Sequence, residues 1–189
     1  MTIVLPQLTS EQLFELCRAN PELRVERTSQ GEIVIMPPTG GETGHRNAAI
    51  LTQLTNWAWA DGTGVTFDSS TGFDLPDGAT RSPDAAWVRK SRLRDLTDEQ
   101  KEKFLPLCPD FVVELRSPSD PLPPLLEKMR EYVANGAELG WLLDARRRKV
   151  FVFRPGAPAE ELDNPESLSG EPLLPGFSLQ LARVWEPEF

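Results

Sequence analysis

The chain has 189 residues, 39% hydrophobic and 26% charged, a balance that excludes disordered and fibrous classes and fits one soluble α/β-sized domain over 1–189. A net charge of -9 and a pI near 4.7 argue against broad, salt-sensitive adhesion to DNA, although Arg outnumbers Lys fifteen to five and supplies bidentate phosphate donors wherever it clusters. No apolar run approaches the roughly 18 residues needed to span a bilayer, and MTIVLPQLTSEQ has no basic segment followed by an apolar one, so no membrane association and a cytoplasmic location are expected.

Thr9 or Ser10 caps a first amphipathic helix that places Leu13, Phe14, Leu16 and Cys17 on one side and ends at Asn20-Pro21. Residues 23–28 and 32–36 read as a hairpin around Ser29-Gln30-Gly31. The Gly-rich segment 40–44 precedes a long helix, residues 45–60, with helical spacing at Ala49, Ile50, Leu54, Trp57 and Ala58. Strands follow at 65–68, 72–75 and 84–88, with Pro76-Asp77-Gly78 as the turn between the last two. Thr97 and Gln100 fit a capping box for a short helix over 97–104. Phe111-Val112-Val113-Glu114-Leu115 is the most apolar strand, as expected for the centre of a sheet buried on both faces. Asp120 and Pro121 suit the cap and first position of a helix through about Asn135. Strands at 139–144 and 149–153 flank the basic turn Arg146-Arg147-Arg148, and an edge strand is expected at 177–181.

Asp84 opens one strand and Glu114 lies near the end of another, 30 positions later. Two acids on neighbouring strands suit a hard cation such as Mg²⁺, which needs only one or two carboxylates besides water and a substrate phosphate. The plainer reading makes Pro83-Asp84 a strand entry and pairs Glu114 with Arg116. A carboxylate closing a Phe/Val run, however, requires a partner or a cleft to stay charged. Alternation puts Glu114 and Arg116 on one face, Cβ atoms roughly 7 Å apart, so that Arg116 can reach a metal-bound phosphate. Lys128 lies some 10 Å down the helix from Pro121 and reaches Glu114's level if that helix packs back on the strand, to orient or deprotonate water; otherwise it is a solvated partner of Glu127 or Glu131. Tyr132, four residues on, shares its face. His45 at a helix start reads either way. Glu26 joins the acids if the hairpin borders the same cleft and otherwise faces solvent. Cys17 and Cys108, far apart, indicate neither a disulfide nor a zinc site, and G-x-S-x-G and phosphate-loop patterns are missing.

Taken together, Gly31 to Pro38, His45, Arg81-Ser82-Pro83-Asp84, Pro109 to Glu114, Ser117-Pro118-Ser119-Asp120, Lys128, Tyr132 and Gly136 form an ordered pattern. It resembles the bacterial Uma-two family of restriction endonucleases, within the PD-(D/E)XK nuclease superfamily, over residues 8–185. The resemblance implies an α/β restriction-endonuclease-like core, a mixed central sheet flanked by helices with an N-terminal helix and β-hairpin. It gives Asp84 and Glu114 the metal positions and Lys128 the helix-borne lysine; Arg116 stands where the superfamily's E-x-K pattern has its lysine. The implied activity is Mg²⁺- or Mn²⁺-dependent hydrolysis of DNA phosphodiesters, by a homodimer or higher homo-oligomer. The alternative is a nuclease-fold module that binds nucleic acid or a protein partner without cutting.

Overall fold

Thr9 accepts a hydrogen bond from the backbone N–H of Gln12, whose side chain accepts from the N–H of Thr9; this capping box starts α1 (Ser10–Ala19), as its sequence predicts. The computed structural model describes residues 8–188. The hairpin follows as β1 (Arg24–Arg27) and β2 (Ile33–Met36), with Gly31 in the left-handed conformation at its turn.

The long helix α2 (Gly41–Asp61) begins earlier than the sequence suggests. Gly40 is its N-cap, so the Gly-rich segment is its first turn and not a flexible loop, and His45 sits inside the helix. Next come β3 (Gly64–Asp68), β4 (Phe73–Asp74), β5 (Thr80–Arg81) and β6 (Ala85–Arg89). The turn at residues 76–78 joins β4 to β5, a two-residue strand too short to show a period; it does not lead directly into β6. Two short helices, α3 (Lys90–Leu93) and α4 (Asp98–Glu102), precede β7 (Phe111–Leu115), and the Thr97–Gln100 capping box is present. Helix α5 (Leu122–Ala134) is capped by Pro121 without a side-chain bond. Asp120 is therefore not its N-cap; its carboxylate accepts the N–H of Ser117 in the preceding turn instead. The chain continues through β8 (Leu139–Asp144), β9 (Lys149–Phe153), β10 (Glu160–Asp163), β11 (Ser167–Ser169), β12 (Ser178–Gln180) and α6 (Ala182–Trp185).

Six strands form the main sheet in the order β10-β9-β8-β7-β6-β3, antiparallel except for β7 and β8. That parallel pair needs a crossover, which α5 provides. A smaller sheet, β2-β1-β5-β4, holds the hairpin, while β12 pairs with β11 in a separate ribbon and not on an edge of the main sheet.

Apolar side chains fill both faces of the main sheet. Ile50 and Leu54 of α2 and Val184 of α6 pack with Phe111, Val113, Trp87 and Trp141 on one face. Met129 and Tyr132 of α5 pack with Val112, Ala86 and Leu142 on the other. Met129 of α5 fills the space left by the missing side chain of Gly140 on β8, where a Cβ would stand 2.5 Å from its Cε.

Candidate active site

The register of β6 on β7 pairs Ala85 with Val113, so Asp84 and Glu114, one step further along each strand, lie side by side. Both point to the α5 face, since Ala86 and Val112, two residues away on each strand, lie there. Asp84 is held by two donors: Nδ2 of Asn47 on α2 at 2.8 Å to Oδ1, and the backbone N–H of Leu115 at 2.8 Å to Oδ2. Asn47 had no signal in the sequence, because its partner is 37 residues away and only the helix–sheet packing brings the two together.

Lys128 projects from α5 between two carboxylates, with Nζ 2.8 Å from Oε1 of Glu114 and 2.8 Å from Oε1 of Glu26. It pairs with neither Glu127 nor Glu131: Glu127 is taken by Arg130, and Glu131 by Arg81. The Tyr132 hydroxyl donates to Oε1 of Glu114 at 3.0 Å, and the Lys128 amine lies 5.9 Å from the Tyr132 ring centre. Glu26 is 3% exposed and does not face solvent. It also accepts from the N–H of Ser82 at 2.9 Å and from Nη1 of Arg81 at 3.1 Å, which ties the small sheet to the loop that delivers Asp84.

Arg116 does not join this group. The strand ends at Leu115, and beyond it the Arg116 guanidinium turns to the Asp144 carboxylate and the Asp120 carbonyl. The sequence pattern places it on Glu114's face, but one residue past a strand end the pleat no longer fixes direction. His45, two residues before Asn47, is not among the residues lining the cleft. That cleft encloses about 1260 Å³, and its walls include Glu26, Asp84, Glu114, Lys128, Arg24 and Arg81.

The electrostatics are dominated by burial. Desolvation raises the Asp84 carboxyl above its ordinary value despite its hydrogen bonds to Leu115 and Asn47. Desolvation also pushes Glu114 up to about 7; Lys128 opposes the shift, and the neighbouring Asp84 and Glu26 charges reinforce it. For Lys128, burial works against the ammonium, but the Glu114 and Glu26 carboxylates outweigh it and hold the pKa above that of an ordinary lysine. Glu26 is drawn below the usual carboxylate value because Lys128, the Ser82 N–H and Arg81 overcome its desolvation.

Three carboxylates, Glu26, Glu114 and Glu131, thus share two cations, Lys128 and Arg81, while Asp84 is bonded to Asn47 and the Leu115 N–H and feels Lys128 only through space. The donor set suits a hard divalent cation. Both contacts to Glu114 fall on Oε1, which leaves Oε2, and each Asp84 oxygen keeps a lone pair beyond its single hydrogen bond. No group of three or more His, Cys, Asp or Glu that could hold a metal ion occurs among the described residues.

A mixed sheet flanked by helices, with a parallel pair joined across one of them, places the chain in the restriction-endonuclease-like class of α/β folds. The Uma2 family model, described as "Putative restriction endonuclease", matches residues 10–182, and the chain belongs to that family. The crystal structure of a "putative nuclease" of the DUF820 family from Anabaena variabilis superposes with a TM-score of 0.78 at 19% identity, covering 94% of this chain and 97% of that one. No curated protein matches the chain. Among the described residues, no helix is long and apolar enough to cross a membrane.

Proposed function

We propose that the chain is a Mg²⁺- or Mn²⁺-dependent endonuclease that hydrolyses DNA phosphodiester bonds, with Asp84 and Glu114 holding the metal. The observation that carries this reading is the register pair Asp84–Glu114 beside a lysine 2.8 Å from Glu114, all on the wall of one cleft. A divalent ion there would supply charge neutralisation at the scissile phosphate and a more acidic water.

Asn47 and the Leu115 N–H fix the orientation of Asp84, and Tyr132 and Lys128 fix that of Glu114. The Glu114 and Glu26 carboxylates favour the ammonium form of Lys128, which suits it to orienting water and stabilising negative charge on the phosphate more than to removing the water's proton. Arg116, turned towards Asp144, takes no part at the reacting atoms.

The test is cleavage of supercoiled and linear DNA with Mg²⁺ or Mn²⁺ by wild type, Asp84→Ala, Glu114→Ala and Lys128→Ala. Each variant is expected to lose at least ~100-fold in rate. Wild-type cleavage retained by both acid variants would overturn the assignment.

One observation favours a second reading, a nuclease-fold module that binds without cutting: Lys128 is already satisfied by two carboxylates. Calorimetry separates the two, because a module without a metal site shows no Mg²⁺ or Mn²⁺ binding that depends on Asp84.

A further inference from the structure

The cleft that holds Asp84 and Glu114 is poorly suited to gripping a polyanion. Glu26, Glu42, Asp77, Asp84, Glu114, Asp120, Glu127 and Glu131 line it against Arg24, Arg81, Lys128 and Arg130, and the protein as a whole carries a net charge of -9. A metal ion at two carboxylates can neutralise one phosphate, but the neighbouring phosphates of a strand would still meet acid.

A second, smaller cavity of about 210 Å³ adjoins this cleft and shares Ser117 and Pro118 with it. Its remaining walls are Arg116, Asp144, Arg146 and Arg147. Three guanidiniums thus face one carboxylate. That carboxylate is committed: Asp144 is 2% exposed, its Oδ2 accepts from Arg116, and its Oδ1 accepts the backbone N–H of Arg147.

The side chains of Arg146 and Arg147 are exposed and make no ion pair among the described residues, whereas Arg148, next along the turn, pairs with Glu186. The turn itself is firmly mounted. It joins two central strands, β8 and β9, and besides the Asp144 carboxylate its backbone is closed by bonds from the Arg147 N–H to the Asp144 carbonyl and from the Arg148 N–H to the Ala145 carbonyl. Two unpaired guanidiniums on a rigid turn, on an otherwise acidic protein, present planar forks of donors to an oxyanion that offers two oxygens and a charge of about -1, as the two non-bridging oxygens of a phosphodiester do.

We infer that Arg146 and Arg147, backed by Arg116, bind a backbone phosphate of the DNA strand beside the cleft, so that the strand crosses Ser117-Pro118 to reach the metal-binding acids. The inference takes the identity of the strand from the nuclease reading. The site supplies the grip that the cleft lacks, while the acids are left to act on the one phosphate at the metal.

The test is fluorescence anisotropy of a short labelled DNA duplex with the full chain, using Ca²⁺ in place of Mg²⁺ to hold back cleavage, across a range of salt concentrations. Arg146→Ala/Arg147→Ala is compared with wild type and with Arg18→Ala/Lys101→Ala, which removes the same charge from two exposed positions on α1 and α4. The expected result is a Kd raised about tenfold and a log–log salt slope shallower by about two for the first variant, with little change for the control. Equal losses in both double variants would reduce the effect to net charge and overturn the inference, as would an unchanged slope or a wild type that does not bind the duplex.

A free phosphate monoester is the other source of the same chemistry. If adenosine monophosphate binds wild type but not the double variant while duplex affinity stays the same, the strand assignment is overturned. Cleavage with Mg²⁺ is measured in parallel. A wild type that binds through these arginines and cuts nothing removes the nuclease reading and leaves the phosphate site standing; one that cuts while the double variant binds normally does the reverse.

Discussion

On one face of β7, Phe111, Val113 and Leu115 meet Trp141, Phe177 and Ile50, with the Phe111 and Trp141 rings edge to face at 4.8 Å and Trp141 stacked on Phe177 at 6.0 Å. On the other face Val112 is followed by Glu114, and the packing gives way to a chain of charge running through Lys128, Glu26, Arg81 and Glu131. One five-residue strand therefore carries two kinds of order. The aromatic face is held by area and shape, which are non-directional and tolerant of exchange. The charged face is held by particular partners, and the loss of any one leaves another uncompensated.

The sharpest break of this contrast comes from Trp141→Ala. It should cost about 4 kcal/mol in urea denaturation, the usual toll of an emptied aromatic site, while Mg²⁺ binding by the folded fraction stays as in wild type. A change in metal affinity would mean that the two faces are coupled through the sheet. Next in size is Lys128→Ala, which removes the shared cation from Glu114 and Glu26 and should cost about 3 kcal/mol. The triple substitution Lys128→Met, Glu114→Gln, Glu26→Gln should recover most of that loss in the same assay, because it removes the buried cation together with both carboxylates it pairs with and leaves Arg81 its partner Glu131. Failure to recover would make shape, not charge, the organising force on this face.

A smaller effect of opposite sign is expected for Asp84→Asn. Burial raises the Asp84 pKa, so the folded state binds this proton more tightly than the unfolded chain does. The group's contribution is fully present below the unfolded pKa and is lost as pH rises through the folded one. At pH 7 the charged Asp84 is thus a burden, and Asn should raise Tm by about 2 °C while abolishing Mg²⁺ binding. The gap in Tm should close as pH is lowered towards the carboxylate range, as differential scanning calorimetry would register. Smallest of all is a labelling difference. Burial pushes the Cys108 thiol up to about 12, and its Sγ donates to the Tyr132 carbonyl at 3.4 Å, whereas Cys17 is only half-buried. A thiol reagent at pH 8 should modify Cys17 in the native protein and Cys108 only after denaturation. Native modification of Cys108 would show that the α5 face opens without global unfolding.

Much of the aromatic face was legible in the sequence, because its evidence is periodic: the run 111–115 and the spacing of Ile50 and Leu54 each predict burial from local pattern. The pairing of Asp84 with Glu114 also followed from strand order. Lys128 beside Glu114 was expected from the helix packing back on the strand, and Glu26 only on condition that the hairpin borders the cleft; the contacts Asn47–Asp84 and Arg81–Glu26 carried no signal, since their partners lie 37 and 55 positions apart. Local signals also misled where chain geometry decided the outcome. Gly40-Gly41 looks like a loop yet begins α2, and Arg116 shares parity with Glu114 yet lies past the point where the pleat governs direction. Strand β10, written as Glu-Glu-Leu-Asp, has no apolar alternation because it is an edge strand with mostly exposed side chains.

Gly140 lies on β8 under the middle of α5, and Met129, which rests where its side chain would be, is the residue after Lys128. With no side chain at 140, the strand leaves room for the end of Met129, the neighbour of Lys128 on the helix. A side chain at this buried position would touch none of the residues lining the cleft and would first displace the Met129 methyl and crowd Val112, so its effect would be felt in the packing of α5 before it reached the acids.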